Sequence, residues 1–280
     1  MKVAIIGVGL IGGSIALKLR EKSFGTEFIG IDKSENHLQE ALDLKIIDRA
    51  EKLENGVKNA DVIITAIPVD ATVKILPQVL DLAKENQTVM DTGSTKSGIV
   101  EAIKNHKNRK RFVAFHPMWG TENSGPKAAQ KDSFSGRAAV ICNQEDSAKD
   151  ALKLVEKIAE ILELHLIYMN AEAHDIHTAY ISHISHITSY ALANTVLEKE
   201  REEDTIFQLA SSGFSSTVRL AKSHPEMWVP IFKQNKENVL DVLNEHITQL
   251  RKFKSALEKE NYELLEELIL NANKIRGILK

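Results

Sequence analysis

The sequence predicts an α/β N-terminal domain followed by an all-α C-terminal domain. Up to about residue 169, short apolar runs alternate with amphipathic helical segments, a pattern typical of a parallel sheet that helices cover on both faces. From residue 170 to residue 280, long helical patterns follow one another and no strand pattern interrupts them. We therefore expect one domain over residues 1–169 and a second over residues 170–280.

The elements of the N-terminal domain can be read from this alternation. The predicted strands are Val3–Ile6, Glu27–Ile31, Asp61–Ile67, Thr88–Asp91, Phe112–Phe115, Arg137–Cys142 and Leu164–Tyr168. The predicted helices are Ile11–Lys22, Ser34–Leu44, Ala71–Leu82, Lys96–Asn105 and Asp146–Leu162. Short apolar strands between amphipathic helices are typical of βαβ units.

The C-terminal domain is expected to consist of long helices. The predicted helices are Ala171–Glu200, Lys236–Glu258 and Tyr262–Leu279. In the second of them, apolar residues recur three and four positions apart, at Val239, Val242, Leu243, Ile247 and Leu250. Helices of this length depend on packing for their stability, so we expect this domain also to form a homodimer interface.

Composition narrows the class of protein. The net charge of -3, with no block of like charge, gives no basic surface for nucleic acid or an anionic membrane. The single cysteine, Cys142, excludes an internal disulfide and suits a reducing compartment. No apolar run reaches the roughly 20 residues of a membrane span, and the N-terminal apolar run is too short for a signal peptide. We expect a cytoplasmic protein that acts on a small molecule.

A glycine-rich turn follows the first predicted strand and opens the first predicted helix. In a dinucleotide-binding fold, Gly7 permits the tight turn, Gly9 lets the backbone approach the pyrophosphate, and Gly12 allows close helix packing. The helix N-terminus, at Leu10 and Ile11, offers N–H groups and a positive dipole end to the phosphates. We therefore expect a Rossmann-type dinucleotide-binding domain.

An acidic residue at the end of the second strand indicates which dinucleotide is bound. Asp32 follows Gly12 by 20 residues, where a carboxylate accepts hydrogen bonds from ribose hydroxyls and repels a 2′-phosphate. NAD is therefore favoured over NADP. Ile67 and Pro68 end a further strand and are expected to line the cofactor cleft. Pro68 is equally well explained as a residue that only ends the strand.

A histidine at the same edge of the sheet is a candidate base. His116 follows the predicted strand Phe112–Phe115, and Ser94 follows the strand before it. Oxidation of an alcohol needs a base for the hydroxyl proton, and an imidazole with a pKa of about 6.5 can accept it at neutral pH. The spacing alone also allows a histidine that only ends a strand before a proline turn.

Four ordered motifs extend from the sheet into the helical region. They are Asp91–Lys96 (DTGSTK), His116–Gly125 (HPMWGTENSG), Ile181–His186 (ISHISH), and Gly213–Arg219 with His224–Trp228 (HPEMW). Together they resemble the motifs of the prephenate and arogenate dehydrogenase family, and the resemblance runs essentially end to end. It implies a Rossmann-type domain joined to a helical dimerisation domain, with the active site between them. It also implies NAD-dependent oxidative decarboxylation of prephenate to 4-hydroxyphenylpyruvate in tyrosine biosynthesis.

The resemblance implies roles for individual residues. His116 resembles the catalytic histidine that accepts the proton of the ring hydroxyl, and Ser94 resembles the serine that orients it. Arg219 resembles the arginine that holds a substrate carboxylate, a task that suits a guanidinium because it can donate two parallel hydrogen bonds. Thr121 falls in the segment that lines the site, with turn formation as its alternative role.

A group of histidines on the first long helix resembles the substrate border of the family. Ser182, His183 and His186 are expected to contact the substrate. With His174, Asp175 and His177 they form a cluster that superficially resembles a metal site. The chemistry implied by the family needs no metal and the spacing matches no standard zinc motif, so we expect none. His174 and His177 are interpreted as structural.

Alternatives remain open at this point. Trp119 and Ser216 depart from the residues usual in the family, which leaves the choice between prephenate and arogenate undecided. A different β-hydroxyacid-type dehydrogenase would use a lysine, with Lys222 or Lys236 as candidates. A non-catalytic NAD-sensing module that binds a protein partner is also compatible with the fold, although the histidine, serine and arginine favour an enzyme.

Overall fold

The computed structural model describes residues 1–201 and 205–278. These residues form two compact units, Met1–Asn235 and the helical segment from Lys236 onward. The predicted end of the last helix, at Leu279, lies outside the described residues. The domain boundary expected between residues 169 and 170 stays a prediction.

An eight-stranded sheet forms the centre of the first unit. Its strands are β1 (Lys2–Ile6), β2 (Glu27–Ile31), β3 (Arg49–Ala50), β4 (Val62–Thr65), β5 (Thr88–Asp91), β6 (Phe112–Pro117), β7 (Ala138–Cys142) and β8 (His165–Met169). Their order across the sheet is β3-β2-β1-β4-β5-β6-β7-β8. The strands from β3 to β6 are parallel, whereas β7 is antiparallel to β6, and β8 pairs parallel with β7. The expected parallel sheet therefore extends from β3 to β6, whereas β7 and β8 run in the opposite direction.

The reversal follows from the connection between β6 and β7. A parallel pair needs a crossover, which is usually a helix, but the chain from Pro117 to Ala138 contains only the 3-10 turn Pro126–Ala128. The next connection contains a full helix, Lys149–Ile161. Accordingly, β8 lies parallel to β7.

Helices surround the sheet on both faces. Those of the first unit are α1 (Leu10–Glu21), α2 (Glu35–Asp43), α3 (Leu53–Lys58), α4 (Val69–Leu82), α5 (Ser97–Ala102), α6 (Lys149–Ile161), α7 (Ala171–Thr178), α8 (Ile184–Glu200), α9 (Ser212–Thr217) and α10 (Pro225–Gln234). A π-helical turn, Ala179–His183, joins α7 to α8. The long helix expected from residue 171 is therefore present with one irregularity, whereas β3, α3, α9 and α10 were not predicted.

Alternate residues of the strands enter two hydrophobic cores on opposite faces of the sheet. Val3 and Ile5 of β1 belong to the core that contains α1 and α6. Ala4 of β1 belongs to the other core, which contains α3, α4 and α5. In β6 the same alternation assigns Phe115 to the first core. His116, the next residue, therefore points toward the second face.

The second unit contains two helices that pack against each other, α11 (Lys236–Glu258) and α12 (Tyr262–Asn273). The bounds of α11 agree with the prediction. Its apolar stripe is only partly covered, because Val239 is buried whereas Leu250 is 56% exposed. Among the residues that the structure describes, no helix combines the length and the apolar character of a membrane span.

Candidate active site

The glycine turn between β1 and α1 brings Gly7, Gly9 and Gly12 to the edge of the sheet. Gly7 has a φ of +94°, and a Cβ atom there would lie 2.4 Å from the carbonyl oxygen of Ala66. A Cβ atom on Gly12 would lie 2.1 Å from the carbonyl oxygen of Gly7. Gly9 differs, since a Cβ atom there would meet nothing closer than the backbone nitrogen of Gly125, at 3.9 Å. The backbone at Gly9 therefore borders open space.

The N-terminus of α1 faces the same space. Gly9 is the N-cap residue, no side chain caps the helix, and its first turn has no acidic residue. The N–H groups of Leu10 and Ile11 therefore have no partner within the helix. The positive end of the helix dipole adds to them, so this end of α1 suits a phosphate group.

Asp32 lies beside this turn, directly after β2. Its carboxylate accepts hydrogen bonds from the N–H of Val8 at 3.1 Å and from the N–H of Ser34 at 2.9 Å. A Cβ atom on Gly7 would lie 2.6 Å from the side chain of Ile67. Pro68 is exposed and is the N-cap residue of α4. Asp32 and Ile67 therefore lie against the glycine turn, whereas a contact of Pro68 with a cofactor stays a prediction.

His116 lies near the carboxyl end of β6 and is 8% exposed. Its Nδ1 atom lies 2.8 Å from Nε2 of His174 on α7. In the described part of the chain, no hydrogen bond involves Nε2 of His116. Burial lowers the pKa of His116 well below 6.5, and the charges of His174, Lys96 and His183 lower it further. The imidazole is therefore neutral at pH 7 and can accept a proton.

The loop after β6 connects His116 with the glycine turn. Gly125, with a φ of +81°, lies close to Gly9. Further along, the N–H of Gln130 donates a hydrogen bond of 2.8 Å to Oγ of Ser14 in α1. The segment that follows the candidate base therefore contacts both the glycine turn and α1.

Ser94 lies in the turn between β5 and α5 and is partly buried. No hydrogen bond joins it to His116 within the residues that the structure describes. Because His174 holds the Nδ1 atom of His116, an orienting role for Ser94 has no support at that atom. A contact between Ser94 and a substrate hydroxyl stays a prediction.

His183 and His186, which were expected to border the substrate, pack against Trp228 of α10. His186 stacks on the indole with ring centroids 3.3 Å apart, and His183 meets it edge-on at 5.9 Å. Nδ1 of His183 lies 3.1 Å from Nδ2 of Asn235. Burial lowers the pKa of both histidines to about 4. Nδ1 of His186 lies 3.1 Å from the carbonyl oxygen of Ser182.

Arg219 reaches the same region from the other end of the helical segment. Its Nη1 atom lies 3.7 Å from Oε2 of Glu122, in the loop that follows β6. Its positive charge also contributes to the lowered pKa of His186, after the effect of burial. Oγ1 of Thr121 accepts a hydrogen bond of 3.2 Å from the N–H of Asn123, which is the turn-forming role considered above. Contacts of these residues with a substrate stay predictions.

Sequence reasoning missed part of the buried network. It interpreted His174 as structural, although His174 contacts the candidate base directly. Asp91 and Lys96 of the DTGSTK motif form a fully buried ion pair, which no local pattern in the sequence indicates. The sequence feature that could have indicated this network is the adjacent pair His174-Asp175, of which both residues are buried. His177, one helical turn later, is exposed. Among the described residues, no group of three or more His, Cys, Asp or Glu side chains is arranged to hold a metal ion.

Of the two residues that depart from the family pattern, Trp119 has a clear structural place. Its ring packs edge-on against Phe134, with centroids 5.2 Å apart, in the core that contains α1 and α6. The hydroxyl of Ser216 donates a hydrogen bond of 2.9 Å to the carbonyl oxygen of Gly213. Trp119 therefore serves packing in the N-terminal half.

The sheet topology and the glycine turn define an α/β nucleotide-binding protein. Two family models divide the chain between them. The nucleotide-binding domain of prephenate dehydrogenase matches residues 15–168, and the dimerization domain of prephenate dehydrogenase matches residues 170–271. The chain belongs to the prephenate dehydrogenase family, a family of dehydrogenases.

Individual relatives agree with this assignment. The chain is 33% identical to prephenate dehydrogenase of Bacillus subtilis over 94% of its own length and 72% of that protein. It is 28% identical to cyclohexadienyl dehydrogenase of Zymomonas mobilis, over 99% of the chain and 96% of that protein. The crystal structure of prephenate dehydrogenase from Aquifex aeolicus in complex with hydroxyphenyl propionate and NAD+ superposes with a TM-score of 0.90 at 32% identity, covering 99% of this chain and 98% of that one.

Proposed function

We propose that this chain is an NAD-dependent prephenate dehydrogenase, which converts prephenate to 4-hydroxyphenylpyruvate and carbon dioxide. The observation that carries the proposal is the neutral imidazole of His116 at the carboxyl edge of the sheet, with Nε2 free of protein partners among the described residues. Membership of the family and the likeness to the Aquifex enzyme, whose structure contains NAD+, support it.

The residues around the glycine turn fit a dinucleotide. The N-terminus of α1 would hold the pyrophosphate, because the backbone at Gly9 is accessible and no side chain caps the helix. Asp32 would accept hydrogen bonds from the ribose of NAD and repel the 2′-phosphate of NADP. When bound, NAD accepts hydride from the substrate carbon that carries the hydroxyl.

His116 would accept the hydroxyl proton at Nε2 as the ring carbon is oxidised to a carbonyl. The carbon–carbon bond to the ring carboxylate then breaks, and its electron pair moves through the ring to the carbonyl oxygen. That oxygen becomes a phenol when His116 returns the proton. The base therefore ends as it began, and aromatisation makes the step strongly favourable.

Charge on the substrate calls for a cation at the edge of the site. Arg219 is 56% exposed at its side chain, so its guanidinium is accessible to a carboxylate. Thr121, Ser182, His183 and His186 are proposed to border the substrate, with Ser94 near its hydroxyl. Ser94 and Thr121 contribute hydroxyl groups, which can donate to or accept from a polar substrate.

We further propose that the chain functions as a homodimer through residues 170–280. The family model for this region is that of a dimerization domain. Large apolar side chains such as Leu197, Leu257 and Ile269 are about half exposed, at 50%, 57% and 47%. Light scattering of the purified chain tests this proposal, and a monomer at micromolar concentration would contradict it.

The enzymatic proposal is tested by steady-state assays of the purified chain with prephenate and with arogenate, each with NAD and with NADP. We expect the highest kcat/KM with prephenate and NAD, and 4-hydroxyphenylpyruvate as the product. The control is His116→Asn, which should keep NAD binding but lower kcat by at least ~10²-fold, as expected for a lost general base. A preference for arogenate would assign the chain to arogenate instead, and turnover of neither substrate would reject the proposal.

A further inference from the structure

Three buried side chains form a hydrogen-bonded network that runs from the candidate base into α7. Nδ1 of His116 lies 2.8 Å from Nε2 of His174, and Nδ1 of His174 lies 2.8 Å from Oδ1 of Asp175. His174 is 1% exposed and Asp175 is 3% exposed. Water therefore competes little with these hydrogen bonds, and the donor and acceptor roles must match along the chain.

Within this network, Asp175 can only accept hydrogen bonds. Its Oδ1 atom accepts a hydrogen bond from the N–H of Lys96 at 2.8 Å, and Oδ2 accepts one from the N–H of Ser97 at 2.9 Å. Burial raises the pKa of Asp175, but the hydrogen bonds from His174 and from these two N–H groups outweigh it and lower the pKa. An ionised carboxylate has no proton to donate, so Nδ1 of His174 carries the proton between them.

The protonation of His174 then decides that of His116. Burial lowers the pKa of His174, although the hydrogen bond to Asp175 opposes this effect. A neutral His174 with its proton on Nδ1 has a bare Nε2 atom, which can only accept. The proton between the two rings must therefore belong to Nδ1 of His116, and Nε2 of His116 is left unprotonated.

The backbone of β6 is held from the same group of residues. Oδ1 of Asp91 accepts a hydrogen bond of 3.2 Å from the N–H of Phe115, the residue before His116. Oδ2 of Asp91 pairs with Nζ of Lys96. The backbone N–H of Lys96 in turn donates a hydrogen bond to Asp175. The base and the residues that contact it are thus fixed to one buried framework.

We propose that His174 and Asp175 are positioning residues, which fix His116 in the tautomer with its proton on Nδ1 and a free lone pair on Nε2. The proposal deepens the proposed function and rests on it for the role of His116 as base. Without the acceptor on His174, neither tautomer of His116 is selected. When His116 takes up a proton at Nε2, its Nδ1–H still donates to His174, and the carboxylate of Asp175 lies next along the chain to offset the positive charge.

The tautomer can be observed directly, without any turnover. The full chain is labelled with 15N-histidine, and the ring nitrogens of His116 are assigned by comparison with His116→Asn. At neutral pH the unvaried chain should show a protonated Nδ1 and an unprotonated Nε2 for His116. His174→Leu should lose this preference, whereas His174→Gln should keep it, because the side-chain oxygen of glutamine can accept in place of Nε2. An unvaried chain with Nε2 protonated would overturn the proposal, as would an unchanged tautomer in His174→Leu.

Kinetics provide the second readout. His174→Leu should lower kcat by at least ~10²-fold with an unchanged Kd for NAD, and Asp175→Asn should act in the same direction, as loss of the tautomer-setting acid does in serine proteases. His174→Gln should recover activity to within about tenfold of the unvaried chain. Equal losses in His174→Leu and His174→Gln would overturn the proposal. If neither prephenate nor arogenate is turned over but the expected tautomer is observed, the proposed function fails and the assignment of His174 and Asp175 is supported.

Discussion

Nη1 of Arg219 lies 3.7 Å from Oε2 of Glu122, so a residue of the helical region pairs with the loop that follows the strand of His116. The two side chains are 56% and 32% exposed. An ion pair this accessible contributes at most about 1 kcal/mol. A substrate carboxylate can therefore compete for the guanidinium, and it can gain two parallel hydrogen bonds that the carboxylate of Glu122 does not make at this distance.

Arg219→Ala should raise KM for the substrate by about 10- to 100-fold, because a hydrogen bond to a charged group contributes roughly 1.5–3 kcal/mol. The Kd for NAD should change little, since the residues proposed to hold the cofactor are the glycine turn and Asp32. Steady-state kinetics and a fluorescence titration with NAD measure the two quantities. The matched control is Glu122→Gln, which keeps the guanidinium and should leave KM unchanged or slightly lower. An Arg219→Ala variant with the KM of the unvaried chain would remove the residue from substrate binding.

The pH dependence of kcat/KM should reflect the buried position of His116. Burial, with His174, Lys96 and His183 nearby, lowers the pKa of this imidazole well below 6.5. A general base must be unprotonated in the free enzyme, and kcat/KM reports that state. We expect kcat/KM to stay constant from pH 7 to below pH 6.5 and to fall only in more acidic buffer. If kcat/KM already falls to half of its maximum at or above pH 6.5, the assignment of His116 as the base would be contradicted.

Much of the fold could be predicted from periodicity, since buried apolar strands and the glycine turn are local patterns. The bounds of β5 and of α11 agree with the sequence prediction. The reversal of β7 could not be read locally, because strand direction depends on what the connecting chain can span. α10 was missed although its first residue, Pro225, is a typical helix start.

The site was less predictable than the fold. The motif letters pointed to His116 and Arg219, but the partner of His116 lies on a helix 58 residues further along the chain. Only the packing of α7 against the sheet brings His174 to that strand. Asp175 also caps α5 from another helix, and no local pattern in the sequence indicates such a contact. Tertiary packing therefore determines the surroundings of the candidate base.

The stability of the chain should fall as the pH is lowered from about 6.5 toward 4. His183 is 1% exposed and burial lowers its pKa to about 4, with His174 and His186 lowering it and Asp175 opposing them. In this window the unfolded chain binds a proton that the folded chain does not, so unfolding takes up a proton and the free energy of unfolding decreases. The contribution of one such histidine reaches about 3 kcal/mol at the acidic end.

Urea denaturation at several pH values measures this dependence. His183→Asn keeps an acceptor near the position of Nδ1, which faces Asn235, but cannot titrate. Its free energy of unfolding should therefore fall less steeply between pH 6.5 and pH 4, by up to about 1.4 kcal/mol for each pH unit. The matched control is His177→Asn, at an exposed position of the same helical segment, which should keep the steep slope. Equal slopes for the two variants would contradict the argument.

Replacing each of the three glycines of the glycine turn with alanine should distinguish the glycines needed for folding from the one needed for NAD binding. At Gly7 the added methyl would lie 2.4 Å from the carbonyl oxygen of Ala66 with φ at +94°, and at Gly12 it would lie 2.1 Å from the carbonyl oxygen of Gly7. Both variants should therefore lose more than ~1 kcal/mol of stability, because backbone must move.

At Gly9 the added methyl would meet no atom beyond the neighbouring residues closer than 3.9 Å. The free energy of unfolding of Gly9→Ala should therefore lie within about 0.5 kcal/mol of that of the unvaried chain. The methyl would nevertheless occupy the space through which the backbone approaches a pyrophosphate. We therefore expect the Kd for NAD to rise at least ~10-fold in Gly9→Ala, measured by calorimetric titration alongside denaturation. A Gly9→Ala variant that binds NAD as tightly as the unvaried chain would mean that the open space beside this residue is not where the phosphates lie.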